Sequence, residues 1–347
     1  MDATTDGSGA ARKSLLERLA GGPVICAEGY LFECERRGYL QAGAFVPEVV
    51  LEHPEVVTQL HRDFVHACSD VVEAFTYYAH REKLRAIGRE DVLEPMNRQA
   101  LEIAKQVALE SGALLAGDVA NTNIYAAGDE ESHREVRAMF EEQATWAAEA
   151  GVDFIIAETF GSGLEAVLAC AVIKEIGLPA VVTFSPDPER GTDEGWTAAE
   201  SCKRLEDAGA DVVGLNCGFG PSTMYPYLAG IIASVSVPVA ALPVPYRTHY
   251  GESTFQMLTD PRLGVRAFPV ALDPFTCNRF EIADFTTLAA ALGVRYLGLC
   301  CGAAPHHIRA MAEALGRTPP ASSYSPDLMK HYFYGQEARR YAPVTEL

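Results

Sequence analysis

Three cysteines stand where short apolar runs end. Cys217 follows the run Val212–Asn216, and the adjacent pair Cys300 and Cys301 follows Tyr296–Leu299. Thiolate sulfur is a good ligand for zinc, which takes it tetrahedrally at ~2.3 Å. Three protein sulfurs leave the fourth position open, which is the mark of a catalytic site and not of a closed structural one. Neighbouring residues of a strand point to opposite faces, so Cys300 and Cys301 converge only where the strand has ended and the chain bends. Gly298 and Gly302 flank the pair and permit such a bend. The spacing fits no C-x-x-C finger, and the competing reading is three buried thiols packed as small hydrophobes. Two acids, Glu28 and Glu158, and two aromatics, Tyr77 and Tyr78, also follow apolar runs.

These positions become one site only if the runs are strands of one sheet. Strand-like runs occur at Val24–Cys26, Val71–Phe75, Leu114–Gly117, Phe154–Ala157, Ala180–Phe184, Val212–Asn216, Val237–Leu242 and Tyr296–Leu299. Helical patterns lie between them, among them Pro54–Ala67, Arg98–Ser111, His133–Glu149, Leu164–Ile176, Thr197–Ala208 and Ile282–Leu292. Several end in a glycine (Gly112, Gly151, Gly177, Gly209, Gly293), the usual signal of a helix C-terminus. Strict alternation of strand and helix predicts parallel pairing with right-handed crossovers. Eight such units predict a single (β/α)8 barrel of the α/β class, a doubly wound open sheet being the alternative. Active sites of such barrels sit at the C-terminal ends of the strands, where the cysteines, acids and tyrosines fall. The expected organisation is a mobile tail over residues 1–20 leading to a short helix, the barrel over 21–317, and an aromatic-rich tail over 318–347. That last segment carries Tyr324, Tyr332, Phe333, Tyr334 and Tyr341, which need burial on a second subunit or on their own barrel.

Composition narrows the partners. Hydrophobic residues make up 48% of the 347 and charged residues 22%, enough for a large core. Forty-seven acidic against 28 basic residues give a net charge of -19, which repels phosphate backbones and anionic membrane surfaces. Nucleic acid and membrane are therefore not expected as partners. The first residues show no basic stretch followed by an apolar one, and no apolar run approaches the ~18 residues of a membrane span. Nine scattered cysteines read as buried thiols plus a metal-binding subset, as in a cytoplasmic protein.

Gly-Leu-Asn-Cys217 and Gly-Leu-Cys300-Cys301-Gly-Ala-Ala-Pro-His-His-Ile-Arg resemble the two signatures of the homocysteine S-methyltransferase family. Glu35-Arg36-Arg37-Gly38-Tyr39, Glu52-His53-Pro54-Glu55, Phe75-Thr76-Tyr77-Tyr78-Ala79 and Leu292-Gly293-Val294-Arg295-Tyr296 resemble its betaine-using subgroup. The likeness spans residues 21–317. It implies a zinc ion on Cys217, Cys300 and Cys301, a small-molecule methyl donor, betaine, and homocysteine as thiol acceptor, giving methionine. It implies that Glu158 holds the acceptor's amine and that Tyr78 faces the methyl donor. It also implies a dimerisation arm in the C-terminal tail, with His331 as the residue reaching a neighbouring donor pocket. Four positions depart from the family pattern. Ala27 replaces an Asp that shares in holding the amine, with Glu28 beside it; Phe45 replaces a Trp; Thr159 replaces a Tyr; and Leu299 replaces a Gly.

A thiol of pKa ~8.5 is mostly protonated at neutral pH, and a metal turns it into the competent thiolate. An onium methyl donor favours aromatic faces, at ~0.5–2 kcal/mol each. The candidates are Phe45, Tyr77, Tyr78 and Phe160. Two further patterns compete. Gly161-Ser162-Gly163-Leu164-Glu165-Ala166 matches a dinucleotide-binding turn. His249 or His306 would close the three-sulfur site of a non-catalytic zinc-binding module.

Overall fold

The computed structural model describes residues 12–320, 328–332 and 335. Eight strands close into a parallel barrel in chain order: β1 (Val24–Ala27), β2 (Val71–Glu73), β3 (Leu114–Ala120), β4 (Phe154–Phe160), β5 (Ala180–Phe184), β6 (Val212–Asn216), β7 (Val239–Leu242) and β8 (Tyr296–Leu299). β8 pairs with β1 through Val24–Tyr296 to Ala27–Leu299, so the sheet has no free edge. The predicted alternation is realised in every unit. β3 and β4 run three residues past the apolar pattern, whereas β2 stops at Glu73.

Both faces of the strands are covered, which is why they read as continuous apolar runs. Val24, Val71, Leu114, Phe154, Ile156, Val181, Val212 and Tyr296 fill the barrel interior. Ile25, Ala27, Val72, Leu115, Ile155, Val182 and Leu299 face the helical shell. Gly112, Gly151, Gly177 and Gly293 follow their helices in the left-handed conformation, as the sequence predicts. No helix of the described residues is long and apolar enough to cross a membrane.

Of the mobile tail expected over 1–20, residues 1–11 lie outside the described residues, and the short helix to which it leads begins earlier than expected, inside that span. A helix at Leu15–Gly21 starts with a capping box between Ser14 and Glu17. Its Leu15 and Leu19 are buried with the interior residues and plug the bottom of the barrel. Arg12 clamps the plug through Asp153 and the Ala113 carbonyl. Amphipathic spacing over so short a stretch is a weak sequence signal, and only the open barrel end gives these leucines a place to go. Leu19→Ala is expected to cost about 2–5 kcal/mol and to lower Tm in a thermal melt, while a true tail would give no shift.

The dimerisation arm expected at 318–347 lies largely outside the described residues. His331 is described as exposed, after a short turn at Leu328–Lys330.

Candidate active site

β6 ends at Asn216, and Cys217 takes a left-handed backbone with φ 54°, followed by Gly218 at 56°. A non-glycine residue is costly there, and the strain turns the Cys217 sulfur toward the barrel axis. β8 ends at Leu299, so Cys300 and Cys301 lie beyond the pleat, as their convergence requires. Both flanking glycines are needed. A Cβ on Gly298 would overlap the Cys26 carbonyl, and one on Gly302, at φ 92°, would overlap the Tyr246 ring. Leu299 points into the helical shell, away from the thiols.

The three sulfurs lie within 4.8 Å of one another, and those of Cys300 and Cys301 are 3.9 Å apart. Sulfurs bound tetrahedrally at ~2.3 Å stand about 3.8 Å apart, so the donor set fits zinc in both chemistry and spacing. Hydrogen bonds from the Cys300 and Cys301 thiols hold the Cys217 thiol well below its ordinary pKa. Burial and the Cys217 charge push the Cys300 pKa up. Interaction with Cys217 raises that of Cys301.

Glu158 stands beside them on β4, with a carboxylate oxygen 4.0 Å from the Cys300 sulfur. The same oxygen accepts hydrogen bonds from the Asn216 amide and from the Thr159 hydroxyl, the latter at 3.0 Å. Asn216 in turn accepts from the Thr159 backbone N–H at 2.9 Å. Asn216, one residue before Cys217, thus ties the acid to the cysteine-bearing strand. Thr159 uses its hydroxyl to orient Glu158. Burial, then the Cys217 charge, pushes Glu158 up to a pKa of about 8.

Ala27 packs outward, and Glu28 after it turns inward, bringing its carboxyl within 4.8 Å of Glu158 and of the Cys300 sulfur. Two further acids join them that sequence reasoning missed. Glu73 on β2 and Asp118 on β3 are almost wholly buried, and their carboxyl oxygens come within 4.8 Å of Glu158. Both oxygens of Glu28, both of Glu73 and Oδ1 of Asp118 are buried without a hydrogen-bond partner among the described residues. Burial first, then mutual repulsion, raises all three pKa values. An acid inside an apolar strand run was the available signal, since isolated buried charge is costly. The four acids, with Tyr77, Cys300 and Cys301, line a cavity of about 20 Å³ that no Lys or Arg lines. It holds one water-sized group, and a cation placed there would favour the ionised forms of these carboxyls.

The rings of Tyr77 and Tyr78 pack at 4.2 Å between centroids, tilted by 36°, and both residues are half-buried. Phe45 sits further out, packed on Phe32 and Phe268 under the loop after β7. Phe160 is a correction. Thr159 adopts φ 64° and the β4–β5 register shifts between Ala157 and Phe160. This reverses the facing of Phe160, which is fully buried against Phe140 in the helical shell and not on the interior face that carries Glu158.

The competing patterns dissolve. The amides of Gly163 and Leu164, where a dinucleotide phosphate would bind, donate instead to the Glu194 carboxylate. His249 is exposed and pairs with Glu252. His306 is exposed at the start of the last barrel helix, and His307 caps that helix through the Ala304 N–H. Neither His249 nor His306 joins the sulfur group among the described residues.

A family model described as homocysteine S-methyltransferase matches residues 29–315. Betaine–homocysteine S-methyltransferase 1 of Xenopus tropicalis is 39% identical over 336 residues, covering 94% of this chain and 80% of that protein. S-methylmethionine–homocysteine S-methyltransferase BHMT2 of Mus musculus is 36% identical over 330 residues, covering 91% and 86%. Among solved structures, the metallated homocysteine methyltransferase MmuM of Escherichia coli superposes with a TM-score of 0.65 at 18% identity, over 84% of this chain and 96% of that one, a likeness of fold.

Proposed function

The chain belongs to the homocysteine S-methyltransferase family, and from that premise we propose that it transfers a methyl group from betaine to the thiol of homocysteine at a zinc ion on Cys217, Cys300 and Cys301, giving methionine. The observation that carries this reading is the convergence of three sulfurs from two strand ends beside the buried Glu158. Zinc held there supplies a Lewis acid that keeps the acceptor sulfur a thiolate. Everything else falls to the chain. Glu158 and Glu28 hold the acceptor's ammonium, which suits a cavity with room for one small cation between carboxyls. Glu73 and Asp118 line the cavity behind it, with burial favouring their protonated forms. Tyr78, backed by Tyr77, receives the onium group of the methyl donor. The acceptor sulfur then forms its bond to the methyl carbon as the carbon–nitrogen bond breaks, and the electron pair leaves with the amine. Opposite charges partly cancel along that path, so a dry pocket speeds it.

A sulfonium donor such as S-methylmethionine is the second reading. It is favoured by the withdrawal of Phe160 and the outward packing of Phe45, which leave a smaller aromatic cage. The zinc-loaded protein should be offered homocysteine with each of betaine, S-methylmethionine and dimethylsulfoniopropionate, and the products weighed by mass spectrometry. Methionine from betaine is the expected result. Methionine from a sulfonium alone selects the second reading, and no methionine from any pairing sinks both. With the proposal go a cytoplasmic location and assembly of identical chains through residues 318–347, in which His331 reaches a neighbouring donor pocket. A chain cut at residue 317 is expected to sediment with fewer subunits per particle than the full chain; an equal number of subunits would refute that assembly.

A further inference from the structure

Lys83 lies on the helix Arg81–Ile87, directly after the turn that presents Tyr77 and Tyr78. Its ammonium sits 3.9 Å from the centre of the Tyr78 ring. Tyr77 covers Tyr78 as well, at a ring separation of 4.2 Å. The chain carries 47 acidic residues, and the other basic residues of this helix are engaged: Arg81 with Glu142, and Arg85 with Glu82 and Glu90. Lys83 pairs with no carboxylate among the described residues, although partial burial disfavours its charge. His80, which packs edge-on to Tyr78, is neutral at physiological pH because burial lowers its pKa to about 4. Lys83 is therefore the positive charge that faces Tyr78, and the anion that would complete it is missing.

The polarity of the site says where that anion comes from. Inward of the tyrosines lie Glu28, Glu73, Asp118 and Glu158, with no Lys or Arg lining their cavity. A carboxylate on the methyl donor finds no basic side chain on that side, so it points outward, past Tyr78.

We propose that Lys83 binds the carboxylate of the methyl donor, so that the site selects short zwitterions in which an onium methyl is joined to a carboxylate by one or two carbons. This rests on the methyl-transfer reading above. The Lys83 ammonium covers the Tyr78 face. When the zwitterion arrives, its onium takes the face and the flexible lysine stem carries the ammonium to the carboxylate. One cation replaces another on the ring, and the displaced one gains an ion pair.

Binding decides the matter independently of turnover. Betaine and tetramethylammonium would be titrated calorimetrically into the zinc-loaded full chain without homocysteine, so that no methyl transfer accompanies binding, as wild type, Lys83→Met and Lys83→Arg. Wild type is expected to prefer betaine. Lys83→Met, which keeps length and removes charge, is expected to cut that preference about tenfold or more, the worth of one charge-assisted contact. Lys83→Arg should restore most of it. If Lys83 merely props Tyr78, both ligands weaken together in Lys83→Met and the proposal falls. It falls equally if wild type shows no preference for betaine. Circular dichroism on each variant checks folding, and the arginine variant provides the test if the methionine variant does not fold. Lysine-dependent binding of betaine without methyl transfer would keep this inference and remove the methyl-transfer reading.

Discussion

Cys217→Ala is expected to lose bound metal and methyl transfer together. Two sulfurs on one dipeptide cannot hold zinc as three on two strands do. Removing an outer-shell partner of a metal ligand already costs about 10–100-fold in affinity, so losing a ligand should cost more than that. Alanine keeps the Cβ, and the left-handed backbone at φ 54° is no more strained than before. The loss would therefore report the sulfur and not the fold. Metal content by mass spectrometry of the purified protein, with Tm as the control, reads it directly. A Cys217→Ala protein that keeps its full metal content and its activity would falsify the three-sulfur site. Cys300→Ala and Cys301→Ala should behave alike, because each supplies one of the three converging sulfurs.

The second large effect is expected at Glu158. Glu158→Gln keeps the shape but replaces an acceptor-only oxygen pair by an amide. The Asn216 amide and the Thr159 hydroxyl both donate to that carboxylate, so a glutamine must either turn an N–H toward them or reorganise. The charge that would hold the acceptor's ammonium is lost as well. A contact of this charged kind is worth about 1.5–3 kcal/mol, so kcat/KM for homocysteine should fall by roughly 10- to 100-fold. The change should appear mainly in the KM for the acceptor, with metal content retained. A wild-type acceptor KM in Glu158→Gln would remove Glu158 from substrate binding. Glu28→Gln, measured alongside, separates the two acids. If Glu28 has taken the place of the family's aspartate, its effect should be of the same kind.

The barrel, its eight strands and most helix ends were legible in the sequence, because apolar periodicity and glycine stops are local properties of the chain. The three cysteines were legible for a related reason. Their type and their place after strands are local, and a closed barrel brings every strand's C-terminal end to one mouth. Facing at strand ends was not legible. Period-two alternation predicts it only while the backbone stays extended, and left-handed turns at Thr159 and Cys217 break the pleat. Thus Phe160 faces the shell, although counting from Glu158 along the strand places it inward. The N-terminal helix was expected as a short one, but its role as a plug was hidden, because its two leucines acquire meaning only beneath an open barrel end. Glu73 and Asp118 lie 45 residues apart on neighbouring strands. Each alone looks like an awkward acid in an apolar run. Closure of the barrel sets both beside Glu158 and Glu28, where burial and mutual repulsion raise their pKa values and leave them without a basic partner in the cavity. The residue types and their order were thus determined by the sequence itself. Which side chains share a dielectric, and so which charges must be answered by a ligand, was decided only in three dimensions, because electrostatic energy depends on distance and burial and not on position along the chain.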